Sequence, residues 1–379
     1  MTKHLLFIST SFPTPWEPHK GQHNANLVRA IQGLGWRVSV IAPVPWTALV
    51  RARRSDSVTG ANYPVYWYVP GVLRTRYHQM LGWSLRKALD KVTATVPAPD
   101  AVLSFWTDPD GTVAVEYGRQ RGIPTGVIAG GSDVMILAAD PARRERIATT
   151  LKAADHVFGI GSEIVRRVIG FGVDPARVSN FTRGVNRELF RPGDRLEARR
   201  HLGIPENGPL LLWVGTMNNV KAAERVILAA RELASSIPDL RVAMVGTGPR
   251  EAALKALAAQ SGGLAERIVF PGPVGPERLP AWYHAANVMV LPSRSEGIPN
   301  VLVEGMATGL PFVASRVGSI EDLLPFGPSR AVPEGDLGAL RQAISDVLVT
   351  GSDVVLPPGR YDLIDGAREV LRQLHLDRP

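Results

Sequence analysis

The chain has no cysteine, which excludes disulfides and thiolate metal sites and is compatible with a reducing cytoplasm. It also lacks any apolar run near the roughly 20 residues needed to span a bilayer. The apolar stretch behind Lys3, Leu5-Leu6-Phe7-Ile8, is too short for a signal-peptide core and reads as a first strand. Low-complexity segments and short repeats are missing too, which removes solenoids and fibrous classes. What remains is ordinary globular material: 379 residues, 45% hydrophobic and 21% charged, enough for two domains of about 100–200 residues each.

Acidic charge is scarce in one half only. Residues 1–180 carry 21 Lys+Arg against 13 Asp+Glu, whereas residues 181–379 carry 22 of each, so the whole excess of +8 lies in the first half. It is concentrated at Arg51, Arg53, Arg54, Arg74, Arg76, Arg86, Lys87 and Lys91, interleaved with Trp46, Tyr63, Tyr66, Trp67, Tyr68, Tyr77 and Trp83. Basic residues mixed with aromatics suit an anionic membrane surface or a lipid-phosphate acceptor. An arginine-rich solvated surface over an aromatic core reads the same way. Nucleic acid is not expected, because no nucleic-acid motif accompanies the charge.

Strand and helix patterns alternate twice. The first series has strands at Leu5–Ser9, Val38–Ile41, Val65–Val69, Ala101–Ser104, Gly126–Ile128 and His156–Ile160. The second has Leu210–Val214, Arg241–Val245, Arg267–Phe270, Val288–Leu291 and Phe312–Ala314; helix candidates alternate with the strands, Asn24–Leu34, Trp83–Thr93, Gly111–Gln120, Ala142–Ala153 and Ser162–Gly170 in the first half and stretches near Lys221–Ser236, Pro249–Ala259, Pro276–Ala285 and Asn300–Thr308 in the second. Such alternation predicts parallel sheets covered by helices, hence two doubly wound α/β domains. The boundary is placed within Gly184–Asp194, giving domains 1–185 and 186–360, with a helical tail over 361–376 packing back on the first. Ligands of such sheets bind at the carboxyl ends of the strands, so a ligand is expected between the two domains.

The richest stretch is Ser293-Arg-Ser-Glu-Gly-Ile-Pro-Asn-Val-Leu-Val-Glu304, in which seven residues separate Glu296 from Glu304. It follows an apolar strand; Gly297 allows backbone angles other residues resist, and Pro299 is placed as the first residue of a helix whose run is ended by Gly309 and Pro311. A helix starting there points unpaired amides at whatever lies above the strand end, which favours phosphate. The two glutamates do not read as a hydrolase acid/base pair, since one lies in the loop and the other about 7.5 Å along the helix. As carboxylates beside a bound phosphate they suit sugar hydroxyls instead, Glu304 a ribose and Glu296 a sugar ring.

Five further turns follow strands. Gly215-Thr216-Met217-Asn218-Asn219-Val220-Lys221 places a lysine at a helix start, where it opposes the macrodipole and so suggests anion binding. Gly246-Thr247-Gly248-Pro249 is either a tight turn or a phosphate loop. Gly21 ends a Pro-rich loop that either brings amides to a phosphate or merely connects. Asp133, in Gly130-Gly131-Ser132-Asp133, either caps a helix or faces the ligand. Asp108-Pro109-Asp110-Gly111 has an Asp-x-Asp spacing but reads better as a turn and helix cap; no metal-ligand spacing is convincing.

Together these residues resemble the retaining glycosyltransferases of family four, with the GT-B fold. The resemblance rests on Gly21, Gly131-Ser132-Asp133, Gly184-Val185-Asn186, Gly215 with Lys221, Gly246-Thr247-Gly248-Pro249, and Pro292-Ser293 with Glu296 and Glu304. Ile41-Ala42-Pro43-Val44-Pro45-Trp46 and Asp108-Pro109-Asp110-Gly111 resemble the branch that builds teichuronic acid and other exported polysaccharides. The resemblance implies two Rossmann-like domains facing across a cleft and metal-independent transfer, without a cofactor, from a nucleotide-diphosphate sugar to a glycan or lipid-linked acceptor. The implied location is the cytoplasm, peripheral to the membrane.

By motif, Glu296, Lys221 and Asp133 would carry catalysis. The donor would meet Gly21, Gly215, Thr216, Lys221, Gly246, Glu296, Gly297, Ile298, Pro299, Asn300, Val301 and Glu304. The sequence departs from the family pattern at Gly130 and Thr216, where a cation is usual, at Ala222, usually glycine, and at Gly318-Ser319-Ile320-Glu321, usually Gly-Gly-x-x-Glu. Arg183 and Arg294 are candidate substitutes for the lost cations. A sugar-nucleotide 2-epimerase and a non-catalytic nucleotide-sugar-binding relative share the implied architecture.

Overall fold

The computed structural model describes residues 3–18, 20–48, 60–68, 76–95, 98–182, 184–351, 353–357, 359 and 361–376. Its compact units are Met1–Arg183 with Leu363–Pro379, and Gly184–Asp362.

The first unit holds a parallel sheet of six strands: β1 (His4–Ile8), β2 (Arg37–Ile41), β5 (Ala101–Phe105), β6 (Thr125–Ala129), β7 (His156–Ile160) and β8 (Val178–Phe181), in the order β2-β1-β5-β6-β7-β8. Between β2 and β5 lies a small parallel pair, β3 (Val44–Pro45) with β4 (Val65–Tyr66). β1, β5, β6 and β7 are buried along their whole lengths, as a sheet covered on both faces requires. The core on one face joins β6 and β7 to the helices Pro141–Ala153 and Ser162–Gly170 through Val127, Val157, Ile147, Leu151, Ile164 and Val168. On the same face, Leu6, Ile8 and Val102 meet Leu81, Leu85 and Leu89 of the helix Tyr77–Thr95.

The tail helix Leu363–Gln373 belongs to this unit. It packs on the helix Gln22–Gly33, and Lys3 Nζ donates to the Leu376 carbonyl at 2.7 Å. Ser179 joins it to the sheet edge, bonding His156 Nε2 at 2.7 Å and donating to Glu369 at 3.3 Å. Burial lowers the pKa of His156 to about 4, so the ring is neutral there.

The second unit repeats the plan with β9 (Leu210–Val214), β10 (Arg241–Val245), β11 (Ile268–Gly272), β12 (Val288–Leu291), β13 (Phe312–Ser315) and β14 (Arg330–Val332), all parallel, ordered β11-β10-β9-β12-β13-β14. Arg199, 2% exposed, pins its base: the guanidinium donates to the carbonyls of Ala285, Glu206 and Gly208 and to Asn287 Oδ1.

The sequence reading missed β8, β14 and two helices, Arg195–Leu202 and Leu337–Thr350. Both helices carry legible signals, an Asp cap (Asp194, Asp336) and a left-handed glycine after the end (Gly203, Gly351). β8 and β14 are short and half-exposed, so neither shows the apolar run of a buried strand.

In each sheet the chain leaves the first strand in one direction and later returns to its other side. The reversal falls between β1 and β5 in the first unit and between β9 and β12 in the second. Doubly wound sheets bind ligands at the carboxyl ends of the strands at this switch point.

Candidate functional site

Four loops meet at the carboxyl ends of the second sheet. Met217 N–H donates to Thr247 O at 2.9 Å and Arg250 N–H to Met217 O at 2.9 Å, joining the turns after β9 and β10. A Cβ on Gly246 (φ 132°) would overlap the Gly215 carbonyl, so glycine is needed there for loop packing, whatever else it contacts. Arg294 N–H donates to Val220 O at 2.8 Å, and Ser319 N–H to Gly297 O at 3.2 Å, tying in the loops after β12 and β13.

This framework brings Lys221 and Glu296 together across the switch point. Lys221 Nζ lies 2.7 and 3.0 Å from the two Glu296 oxygens. Their side chains are 25% and 8% exposed, so the carboxylate is shielded and the ammonium keeps a face to solvent. One expectation is corrected: Lys221 does not open a helix. It sits in a turn, its N–H bonded to Asn218 Oδ1 at 3.0 Å, and the helix begins at Glu224. The macrodipole therefore does not oppose the lysine at a first turn; its partner is Glu296. The next residue, Ala222, takes φ 45°, left-handed backbone that costs a non-glycine residue roughly 1–2 kcal/mol. That is the physical reason glycine is usual there.

Past Glu296, Gly297 has open space beside its Cα and Ile298 is buried. Pro299 is the residue before the helix Asn300–Ala307, not its first residue, and no side chain caps that helix. The first-turn amides of Asn300 and Val301 are thus presented at the loop. Glu304, in the second turn, accepts from the Tyr283 hydroxyl at 2.7 Å through Oε2. Burial raises the Glu304 pKa and the Tyr283 bond opposes the rise. Tyr283, 1% exposed, comes from the helix Leu279–Ala285 and was not singled out from sequence. Its signal was a phenol in a buried helix, a group that needs a partner. Thr216 is exposed, and Arg294 is exposed with its guanidinium 3.6 Å from Glu224. Arg183 lies outside the described residues.

The other predicted residues lie in the first unit. Gly21 (φ 65°) precedes the helix Gln22–Gly33. Its missing Cβ leaves room for the Ser11 carbonyl, which also accepts from Asn24 Nδ2 at 2.6 Å, so its glycine is explained by loop packing. Asp133 is fully buried and internally occupied: Oδ2 accepts from Thr107 N–H and Oγ1, both at 2.9 Å, and from Gly130 N–H at 3.3 Å, while Oδ1 accepts from Val134 N–H. Of the two readings of Asp133, the cap is the geometry observed; burial raises its pKa to about 6. Asp108 pairs with Arg146 at 2.8 Å, and Asp110 accepts from Thr10, so the Asp-x-Asp carboxylates are separately engaged. Among the described residues no group of three His, Asp or Glu side chains is placed to hold a metal ion.

Residues 208–349 match the family described as glycosyl transferases group 1. A D-inositol 3-phosphate glycosyltransferase of Acidothermus cellulolyticus is 35% identical over 242 residues, covering 61% of this chain and 52% of that protein. D-inositol 3-phosphate glycosyltransferase 1 of Catenulispora acidiphila is 34% identical over 274 residues, covering 70% and 56%. The chain thus spans about half the length of the curated relatives it matches. Those relatives are named for an inositol phosphate, whereas the sequence resemblance pointed toward the teichuronic acid branch; the two agree at the level of the group 1 family.

Among solved structures, sucrose-phosphate synthase of Thermosynechococcus elongatus has a TM-score of 0.72 at 20% identity, covering 98% of this chain and 94% of that one. Anabaena HepE in complex with UDP and glucose gives 0.70 at 15% identity, covering 98% and 99%. At such identities the likeness concerns the fold, which is GT-B with two Rossmann-like domains.

Proposed function

We propose that the chain is a retaining, metal-independent glycosyltransferase that moves a sugar from a nucleotide-diphosphate donor to a polysaccharide or lipid-linked acceptor. The observation that carries this is the Lys221–Glu296 pair at the β9/β12 switch point, beside the uncapped start of the helix Asn300–Ala307. A departing diphosphate needs a cation and fixed N–H donors; Lys221 Nζ and the amides of Asn300 and Val301 supply both. When the phosphate draws on Lys221, the Glu296 carboxylate is freed to accept from hydroxyls of the transferred sugar. Glu304 has Oε1 free to accept from a ribose hydroxyl while Tyr283 holds Oε2. Asp133 acts as a positioning residue, holding Thr107 and the Gly130 turn. Gly215, Thr216, Gly246, Gly297, Ile298 and Pro299 form the loop walls of the donor site. The relatives' names and the nucleotide complexes of similarly folded proteins support this reading.

The working location is the cytoplasmic face of a membrane. Exposed indoles support it: Trp83 is 73% and Trp67 53% exposed, and the Trp67 backbone N–H donates at 3.2 Å to Ser84 Oγ, the residue after Trp83. Arg76 lies just ahead of this patch, and Arg86, Lys87 and Lys91 share the helix of Trp83; all four are exposed. Arg51, Arg53, Arg54 and Arg74 lie outside the described residues. No described helix is long and apolar enough to cross a membrane. Replacing Arg86, Lys87 and Lys91 by Glu should abolish sedimentation with phosphatidylserine vesicles; undiminished binding rejects this surface.

One alternative has a specific motive. A putative UDP-N-acetylglucosamine 2-epimerase of Listeria monocytogenes has a TM-score of 0.65 at 15% identity. Incubation with single nucleotide sugars separates the readings. Nucleotide release, accelerated by acceptor, supports a transferase; an epimerised sugar supports the isomerase; binding without turnover on any acceptor supports a non-catalytic protein.

A further inference from the structure

Glu304 is gripped from a neighbouring helix and not from its own loop. The Tyr283 hydroxyl donates to Oε2 at 2.7 Å, and no other described group bonds the carboxylate. The phenol ring has little freedom to swing. It packs T-shaped with the buried Phe190 at a centroid distance of 6.0 Å. It also lies along Gly305, where a Cβ would stand 3.7 Å from Tyr283 Cδ1 and 3.5 Å from Met289 Sδ. Tyr283 is 1% exposed, whereas Glu304 is half-buried, so of the two side chains the carboxylate is the one open to a ligand.

We infer that Tyr283 is a positioning residue through which the donor site selects ribose over deoxyribose, occupying Oε2 of Glu304 and leaving Oε1 to accept from a sugar hydroxyl; this rests on the donor-site reading above. A carboxylate has lone pairs and no proton, so it bonds a ligand hydroxyl and offers nothing to a C–H in its place. A protonated carboxyl would present an O–H of its own, and the preference would weaken. Two opposing causes act on Glu304: burial favours the neutral acid, and the Tyr283 bond favours the anion. Among the described residues no ionic partner adds to them. The helix Asn300–Ala307 is otherwise uncharged, and β12 and β13 beside it have no titratable residue. The helix Leu279–Ala285 adds only His284, whose Nε2 is engaged with Arg191 O at 2.7 Å. The phenol therefore supports both the charge and the orientation of the carboxylate. Its own proton stays in place, because burial and the Glu304 charge raise the Tyr283 pKa well above the ordinary phenol value.

The test is calorimetry on the full chain with UDP, ADP and GDP, and with the 2′-deoxy and 3′-deoxy forms of whichever binds, from about pH 5.5 to about pH 8.5. The quantity read is the ratio of ribo to deoxy affinity, in which the titration of the diphosphate itself cancels. The unmodified chain should prefer the ribonucleotide by about tenfold or more at one of the two positions. Tyr283→Phe should cut that ratio to about threefold near neutral pH while leaving the deoxynucleotide affinity within about twofold, which also controls for folding. In this variant the preference should return toward the alkaline end, where the unassisted carboxyl ionises. Glu304→Gln should give a reduced ratio that is the same at every pH. Ribo and deoxy affinities that fall in parallel in Tyr283→Phe, the mark of a merely loosened helix, overturn the inference, as does a ratio the substitution leaves untouched. Nucleotide binding that is weakened by Lys221→Met yet indifferent to both sugar hydroxyls overturns the inference alone. Failure of every nucleoside diphosphate to bind overturns the donor-site reading with it.

Discussion

Replacing Lys221 with Met removes the only side chain among the described residues that neutralises the shielded Glu296 carboxylate, while preserving most of the lysine stem. Two effects follow and differ in size. In the free protein, Glu296 is left with a lost charge-assisted bond in a site that is only 8% exposed, worth about 1.5–3 kcal/mol of stability. Glu296→Gln in the same chain should return much of that loss, because the stranded charge goes with it; the cycle should show a coupling of about 1–3 kcal/mol.

On function, Lys221 already bonds Glu296 before any ligand arrives, so the bond a diphosphate gains is partly an exchange. Ground-state affinity for a nucleoside diphosphate should fall by only about tenfold. The departing diphosphate gains charge during reaction, so kcat should fall further, by about 10²–10³. Urea unfolding measures the first effect, calorimetry and initial rates the second. A Lys221→Met protein with unchanged kcat, or single and double variants whose stabilities simply add, would refute the reasoning.

Three other perturbations probe different parts of the molecule. Glu304→Ala should weaken nucleotide-sugar binding about tenfold or more, measured by calorimetry, with Tyr283→Phe smaller in effect; unchanged affinity would remove Glu304 from the site. Burial pushes the Asp110 carboxyl from 3.8 up to about 7, so between those values the folded state keeps a proton that the unfolded chain has lost. Stability should therefore fall as pH rises through that window, by up to about 4 kcal/mol, and Asp110→Asn should flatten the profile in pH-dependent urea melts. Arg199→Met should cost about 3–5 kcal/mol, because it leaves the buried Ala285 carbonyl and the part-buried Glu206 and Gly208 carbonyls without this donor; a stability change under about 1 kcal/mol would contradict that role.

Much of the architecture was legible because buried parallel strands are continuous apolar runs bounded by turn residues: Leu210–Val214 and His156–Ile160 were read to the residue. Edge strands were not, since β14 is three residues long with Arg330 exposed. In the candidate site, sequence spacing identified Lys221, Glu296 and Glu304 separately. It carried no information that Lys221 and Glu296 would bond, because the contact is made by loops 75 residues apart, brought together by strand order. Tyr283 and the Thr10–Asp110 pair escaped notice for the same reason. Asp133 shows the opposite case: its local signal was read as two alternatives, and burial shows the capping geometry.

The central claim is that the donor diphosphate sits at the β9/β12 switch point. A crystal structure of the chain with a bound nucleoside diphosphate tests it directly. The account predicts phosphate oxygens within hydrogen-bond reach of Lys221 Nζ and of the Asn300 and Val301 amides, with the ribose hydroxyls on Glu304. A diphosphate bound elsewhere, with the Lys221–Glu296 pair intact and Glu304 bonded to Tyr283 alone, would contradict it.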